Sequence, residues 1–219
     1  MLFVWLFLYG AVMLLAGHVS ARFYWAQTVG LILYTAGLIG WALARKKGKL
    51  LGFKPLSAQA IKKHLYFLPY FALVLYQVAC NGITLLSWLT VLEILAAAVL
   101  EEVVFRGFLL SALRKRGMIL GVLVSSAVFA LAHLINLETG VLHFVLSQSL
   151  CAFIMGIALS GLRLSCGSLI PGMVIHFLIN VTAWDFDPAM NDPVFWACMA
   201  IYLFCGIRSI SLKRKEISL

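Results

Sequence analysis

Apolar runs long enough to cross a bilayer recur from one end of this chain to the other. A helix needs roughly 17–25 mainly apolar residues to span the hydrocarbon core. Eight stretches meet that need within a few residues: 2–17, 23–44, 65–82, 85–112, 118–135, 141–160, 168–183 and 193–211. The fold class this implies is all-α, a polytopic transmembrane helix bundle. The composition agrees: 63% of residues are hydrophobic and 11% charged, where a soluble domain is nearer half and a quarter. No stretch is polar enough for a separate soluble domain, so residues 1–219 are expected to form one integral membrane domain.

The first run, MLFVWLFLYGAVMLLAG, lacks a basic leader and a small-residue cleavage site, and is read as a span rather than a signal peptide. The five cysteines (Cys80, Cys151, Cys166, Cys198 and Cys205) show no C-x-x-C spacing, which argues against a disulfide framework or a thiolate zinc site.

The net charge of +9 does not point to nucleic acid, because the basic residues fall between or after apolar spans. With a cytoplasmic N-terminus, the loops after spans two, four and six and the C-terminal tail are cytoplasmic. Counting Arg208 near the end of the last span, those segments hold every Lys and Arg except Arg22 and Arg106. This is the bias expected of cytoplasmic loops. The 184–192 loop, WDFDPAMND, is acidic and falls outside. Span four is long enough to continue past the bilayer as a helix ending near Gly117, and residues 55–64 read as a short interfacial helix.

Ionisable groups at bilayer depth cost several kcal/mol unless they face a protein interior or a wet cavity, so they mark function. The candidates are Glu93, Glu101, Glu102, Arg106, His133, His143 and His176, joined by the amide of Asn180. Glu102 and Arg106 stand at i and i+4 with the acid first, the better order for a pair. On a 3.6-residue helix Glu101 points about 100° away from Glu102, so one carboxylate can be neutralised while the other serves another task. His176 and Asn180 are again at i and i+4. Counted from Arg114, Gly117 and Arg163 at about 1.5 Å per residue, Glu101, His133, His176 and Asn180 all fall roughly 20–25 Å deep. The bland alternative is an ion cluster and a helix-joining pair that merely fix packing. His143 is expected at the outer interface, and Glu93 either beside Glu101 or near that interface.

A carboxylate and an imidazole beside a wet cavity can activate water, and a second imidazole with an amide can stabilise an oxyanion. The set suits hydrolysis of a peptide bond without a covalent intermediate. No G-x-S-x-G context supports a serine nucleophile. No cofactor is favoured. Zinc or another divalent metal on Glu101, His133 and His176 stays open at this point, although no H-E-x-x-H motif occurs.

Three motifs then carry a resemblance. EEVVFRG (101–107) resembles the E-E-x-x-x-R motif of the CPBP family, the CAAX-protease and bacteriocin-processing or Abi group. FALAH (129–133) is similar to its F-x-x-x-H motif and HFLIN (176–180) to its H-x-x-x-N motif. The resemblance covers about residues 84–183, a CPBP-like catalytic core. It implies an intramembrane endopeptidase of the glutamate type, with Glu101 as base assisted by His133, an oxyanion hole of His176 and Asn180, and support from Glu102 and Arg106. The partners expected are the lipid bilayer and a membrane-anchored peptide or protein substrate, a C-terminal sorting tail or a bacteriocin-like peptide. The short chain favours a prokaryotic plasma (inner) membrane location over a eukaryotic one. The competing readings are a CAAX-type prenyl-protein endopeptidase, a non-catalytic membrane scaffold or immunity protein, and a proton-relay transporter, the last without visible inverted repeats.

The charge argument is directly testable. Reporters fused at residue 1 and residue 219 are expected to signal from the cytoplasm, and one in the 184–192 loop from the opposite face. A cytoplasmic signal from that loop would overturn the eight-span arrangement.

Overall fold

The computed structural model describes residues 10–11, 25–46, 48, 52–53, 69–82, 86–138, 140–183 and 192–218. The first expected span (except residues 10–11), the 55–64 segment and most of the 184–192 loop lie outside these residues. Every regular element described is helical. They are α1 (Trp25–Ala44), α2 (Ala72–Asn81), α3 (Trp88–Glu101), a π-helical segment (Glu102–Leu109) closed by one α-turn (Leu110–Leu113), α4 (Met118–Ala132) with a 3-10 extension (His133–Glu138), α5 (Leu142–Cys166), α6 (Ile170–Thr182) and α7 (Pro193–Ser218).

Local chemistry sets several ends. Ser87 caps α3, its Oγ accepting from the Thr90 N–H at 3.2 Å. The long helix expected around 85–112 runs on through the π segment to Leu113, then turns at Arg114–Arg116. α5 extends six residues beyond its expected end and stops at Gly167, whose φ of 69° suits the left-handed position after a helix. Pro171 sits in the first turn of α6, where its missing N–H costs nothing.

Among the described residues four helices are long and apolar enough to cross a membrane: Trp25–Ala44, Met118–Leu137, Leu142–Cys166 and Pro193–Arg214. Two further apolar helices are shorter as described. α2 and α6 have 10 and 13 residues, and at about 1.5 Å per residue neither spans a core about 30 Å thick by itself. Helices that stop within the membrane are tolerated where protein or a wet cavity surrounds their ends.

α5 is the centre of the bundle, packed along α4 and α7, while α3 lies between α1 and α6. The α5–α7 contact depends on small residues. A Cβ built on Gly206 would lie 2.8 Å from Ala158 Cα, and one on Gly161 would lie 2.6 Å from the Gly206 carbonyl oxygen. Backbones can approach this closely only without side chains between them, the usual basis of helix association in lipid. Two large apolar clusters flank this axis. One gathers α1, α3, the π segment and α4 around Leu100, Phe105 and Phe129. The other joins α2, α5, α6 and α7 around Tyr70, Leu159 and Tyr202. Asp192 sets the start of α7, its Oδ1 accepting from the N–H groups of Val194 and Phe195 at 2.9 and 3.1 Å. Its other oxygen accepts from the Tyr76 hydroxyl and so ties α7 to α2.

Gly206→Leu is expected to force α5 and α7 apart and lower stability by about 1–3 kcal/mol. A lower melting temperature of the purified protein in detergent checks this. An unchanged melting curve would show that the close approach is dispensable.

Candidate active site

Glu101 is the last α-helical residue of α3, and Glu102 the first of the π segment. The 3.6-residue register expected through 101–106 therefore stops at Glu101. Within the segment the N–H of Leu110 bonds to the Phe105 carbonyl, five residues back. A π turn is wider and rotates less per residue, and such turns recur at functional sites. Glu101 and Glu102, expected to serve separate directions, meet the same imidazole.

That imidazole is His176 of α6. Its Nδ1 lies 3.1 Å from Glu102 Oε1, and its Nε2 lies 3.4 Å from Glu101 Oε2. The expected i, i+4 pair is also formed, with Arg106 Nη1 2.9 Å from Glu102 Oε1. Glu102 and Arg106 are 1% and 0% exposed, so this pair is sealed from solvent. The guanidinium rests on Phe129, Cζ 4.1 Å from the ring centroid, a placement that favours a cation. Glu102 Oε2 has no hydrogen-bond partner among the described residues. It lies over the first turn of α6, where a Cβ on Gly172 would come within 3.1 Å. The positive end of a helix dipole suits an anion there.

Hydrogen-bond inventory fixes most protons. A carboxylate already paired with a guanidinium is an acceptor, so His176 Nδ1 donates to Glu102. His176 Nε2 is then turned to Glu101, whose side chain keeps 11% of its surface open. His133 Nδ1 lies 2.9 Å from the Phe129 carbonyl, which can only accept. Nδ1 therefore carries the proton, and Nε2 of the neutral ring is left as an acceptor.

A cavity of about 350 Å³ opens among α2, α4, α5, α6 and α7. His133, His176 and Asn180 line it, together with Gln77, Gln148 and apolar residues such as Leu73, Met155 and Met199. His176 and Asn180 project from one face of α6, as their spacing implied. Phe129 stands perpendicular to both imidazoles, its centroid 4.8 Å from His133 and 5.8 Å from His176. One candidate falls elsewhere: Glu93 faces α1, its Oε2 3.4 Å from Thr28 Oγ1. His143, exposed at the start of α5, lines the same cavity.

Among the described residues no three His, Cys, Asp or Glu side chains converge as a metal-binding group. Glu101, His133 and His176, the set considered for zinc, are not drawn together as ligands in this arrangement.

The sequence assigned no role to Phe129, Gly172 and Gln77. Phe129 was visible as the first residue of the FALAH run, four residues before His133. Gln77 is an amide in an otherwise apolar run. Gly172 had no visible signal, because its role is to leave room for a carboxylate from another helix.

Glu102→Gln is expected to lower stability by about 3–5 kcal/mol by leaving Arg106 buried without a counter-charge. Thermal unfolding and cellular abundance both read this. A Glu102→Gln protein as stable as the parent would rule out the buried pair as a structural element.

Residues 83–182 match the family model described as type II CAAX prenyl endopeptidase Rce1-like. Neither a curated protein nor a solved structure matches the chain significantly.

Proposed function

We propose that this chain, whose segment 83–182 is Rce1-like and so of the CPBP family, is an intramembrane endopeptidase of the glutamate type. The family match supports a membrane-embedded protease. The observation that carries the glutamate reading is the 3.4 Å contact of Glu101 with His176, which lines the cavity with His133 and Asn180, while Glu101 is not itself a wall residue.

In this reading Glu101 takes a proton from a water in the cavity, with His133 Nε2 accepting a hydrogen bond from the same water. The hydroxide attacks the scissile carbonyl carbon. The amide N–H groups of Asn180 meet the developing oxyanion. His176 Nε2 faces Glu101 and, when the ring carries both protons, donates to it and holds the base in place, which leaves Asn180 as the donor for the oxyanion. Glu101 then returns its proton to the leaving nitrogen, the C–N bond breaks, and an amine and a carboxylic acid result. Glu102 and Arg106 hold the His176 ring in the required orientation. No step needs a metal, since Glu102 is taken up by Arg106 and His176.

The substrate in this reading is a membrane-anchored peptide segment, a C-terminal sorting tail or a bacteriocin-like peptide. The apolar part of the cavity wall suits an apolar side chain beside the cut bond. The charge bias of the loops supports cytoplasmic termini, in a prokaryotic plasma membrane.

Glu101→Gln, tested in lipid vesicles against a panel of membrane-anchored fluorogenic peptides, is expected to lose at least about 100-fold in turnover. Its abundance and melting temperature should match the parent. Near-parental turnover would remove Glu101 from the role of base.

A further inference from the structure

A peptide in extended form presents N–H and C=O groups that no longer pair within a helix. In an apolar membrane cavity each unpaired group costs several kcal/mol. A protease that cuts there must supply partners along the strand as well as at the cut bond. Besides the imidazoles and Asn180, the cavity wall carries two side-chain amides, Gln77 of α2 and Gln148 of α5.

Both amides are held by one end. Gln77 is 2% exposed, and its Oε1 lies 2.7 Å from the Thr182 hydroxyl. Thr182 is two residues past Asn180 on α6, so Gln77 is tied to the helix that carries the proposed oxyanion donor. The hydroxyl has a single proton and also lies 2.9 Å from the Leu178 carbonyl. Whichever end of the Gln77 amide meets it, the other end remains. Gln148 accepts from Asn136 Nδ2 at 2.8 Å, which leaves its NH₂ as a donor. Neither remaining end has a protein partner among the described residues, yet neither is a sealed, unsatisfied atom. An amide pinned at one end loses little freedom when the other binds, which is what preorganised recognition requires.

We infer that Gln77 and Gln148 bind the substrate's main chain and hold it as an extended strand across the His176–Asn180 face. This rests on the endopeptidase reading. The ligand chemistry is the peptide amide itself, so recognition at these two positions is indifferent to side-chain identity, and selectivity comes from the apolar wall.

The test uses the full chain in lipid vesicles with a membrane-anchored fluorogenic peptide that it cuts. Gln77→Leu and Gln148→Leu should each raise KM about 3–10-fold, the worth of one hydrogen bond, with kcat within about threefold. A matched set of peptides, each with one main-chain amide replaced by an ester, should show a similar KM penalty at particular positions in the parent protein. The Leu variant at the matching amide should lose that penalty. Unchanged KM in both variants, or an ester penalty that the variants retain in full, overturns the inference. If a variant fails to fold, the ester series on the parent decides: a penalty at no position overturns the clamp. If the parent cuts no peptide, the endopeptidase reading falls. The clamp is then judged by fluorescence anisotropy of the labelled peptide, and equal affinity for parent and variants overturns it.

Discussion

The buried contact between Arg106, Glu102 and His176 organises the rest of the site. A guanidinium and a carboxylate taken out of water are tolerated only when each holds the other. Their pairing settles the charge of Glu102, which makes it the acceptor for His176 Nδ1. That in turn directs His176 Nε2 at Glu101. One ion pair thus fixes the orientation of an imidazole and brings its other nitrogen to a second carboxylate, with helices α3 and α6 joined in the process.

Packing provides the conditions for this arrangement. Two successive carboxylates reach one ring at the start of the π segment, and Gly172 keeps the first turn of α6 open for Glu102. Phe129 supplies a face to Arg106 and packs perpendicular to each imidazole, so a single ring spaces three functional groups. The glycine-mediated approach of α5 and α7 draws two cavity walls together, and α2 and α6 supply the walls between them. The proposed chemistry needs this combination: a polar wall that is rigid and an apolar wall that can receive a side chain.

Much of this was legible along the chain. Every described helix falls within or close to an apolar run, because hydropathy is a property of the segment itself and the bilayer imposes the length. The i, i+4 spacings of Glu102 with Arg106 and of His176 with Asn180 were enough to place each pair on one face. Glu93 was harder: on one helix it lies near the face of Glu101, but α1 takes that part of the surface. The helix of 102–109 defied the 3.6-residue rule, since a π turn is stabilised by the contacts that Glu102, Arg106 and Phe105 make with other helices.

The sequence by itself determined a helical membrane bundle, the helices that carry ionisable groups, and the residue types available for hydrolysis, because these depend on composition and spacing within single segments. Only the tertiary structure decided that both carboxylates share His176, that Phe129 and Gly172 shape the site, and that Gln77 faces the cavity. Those facts depend on how helices far apart in the chain pack, and neither hydropathy nor periodicity within one helix encodes its neighbour.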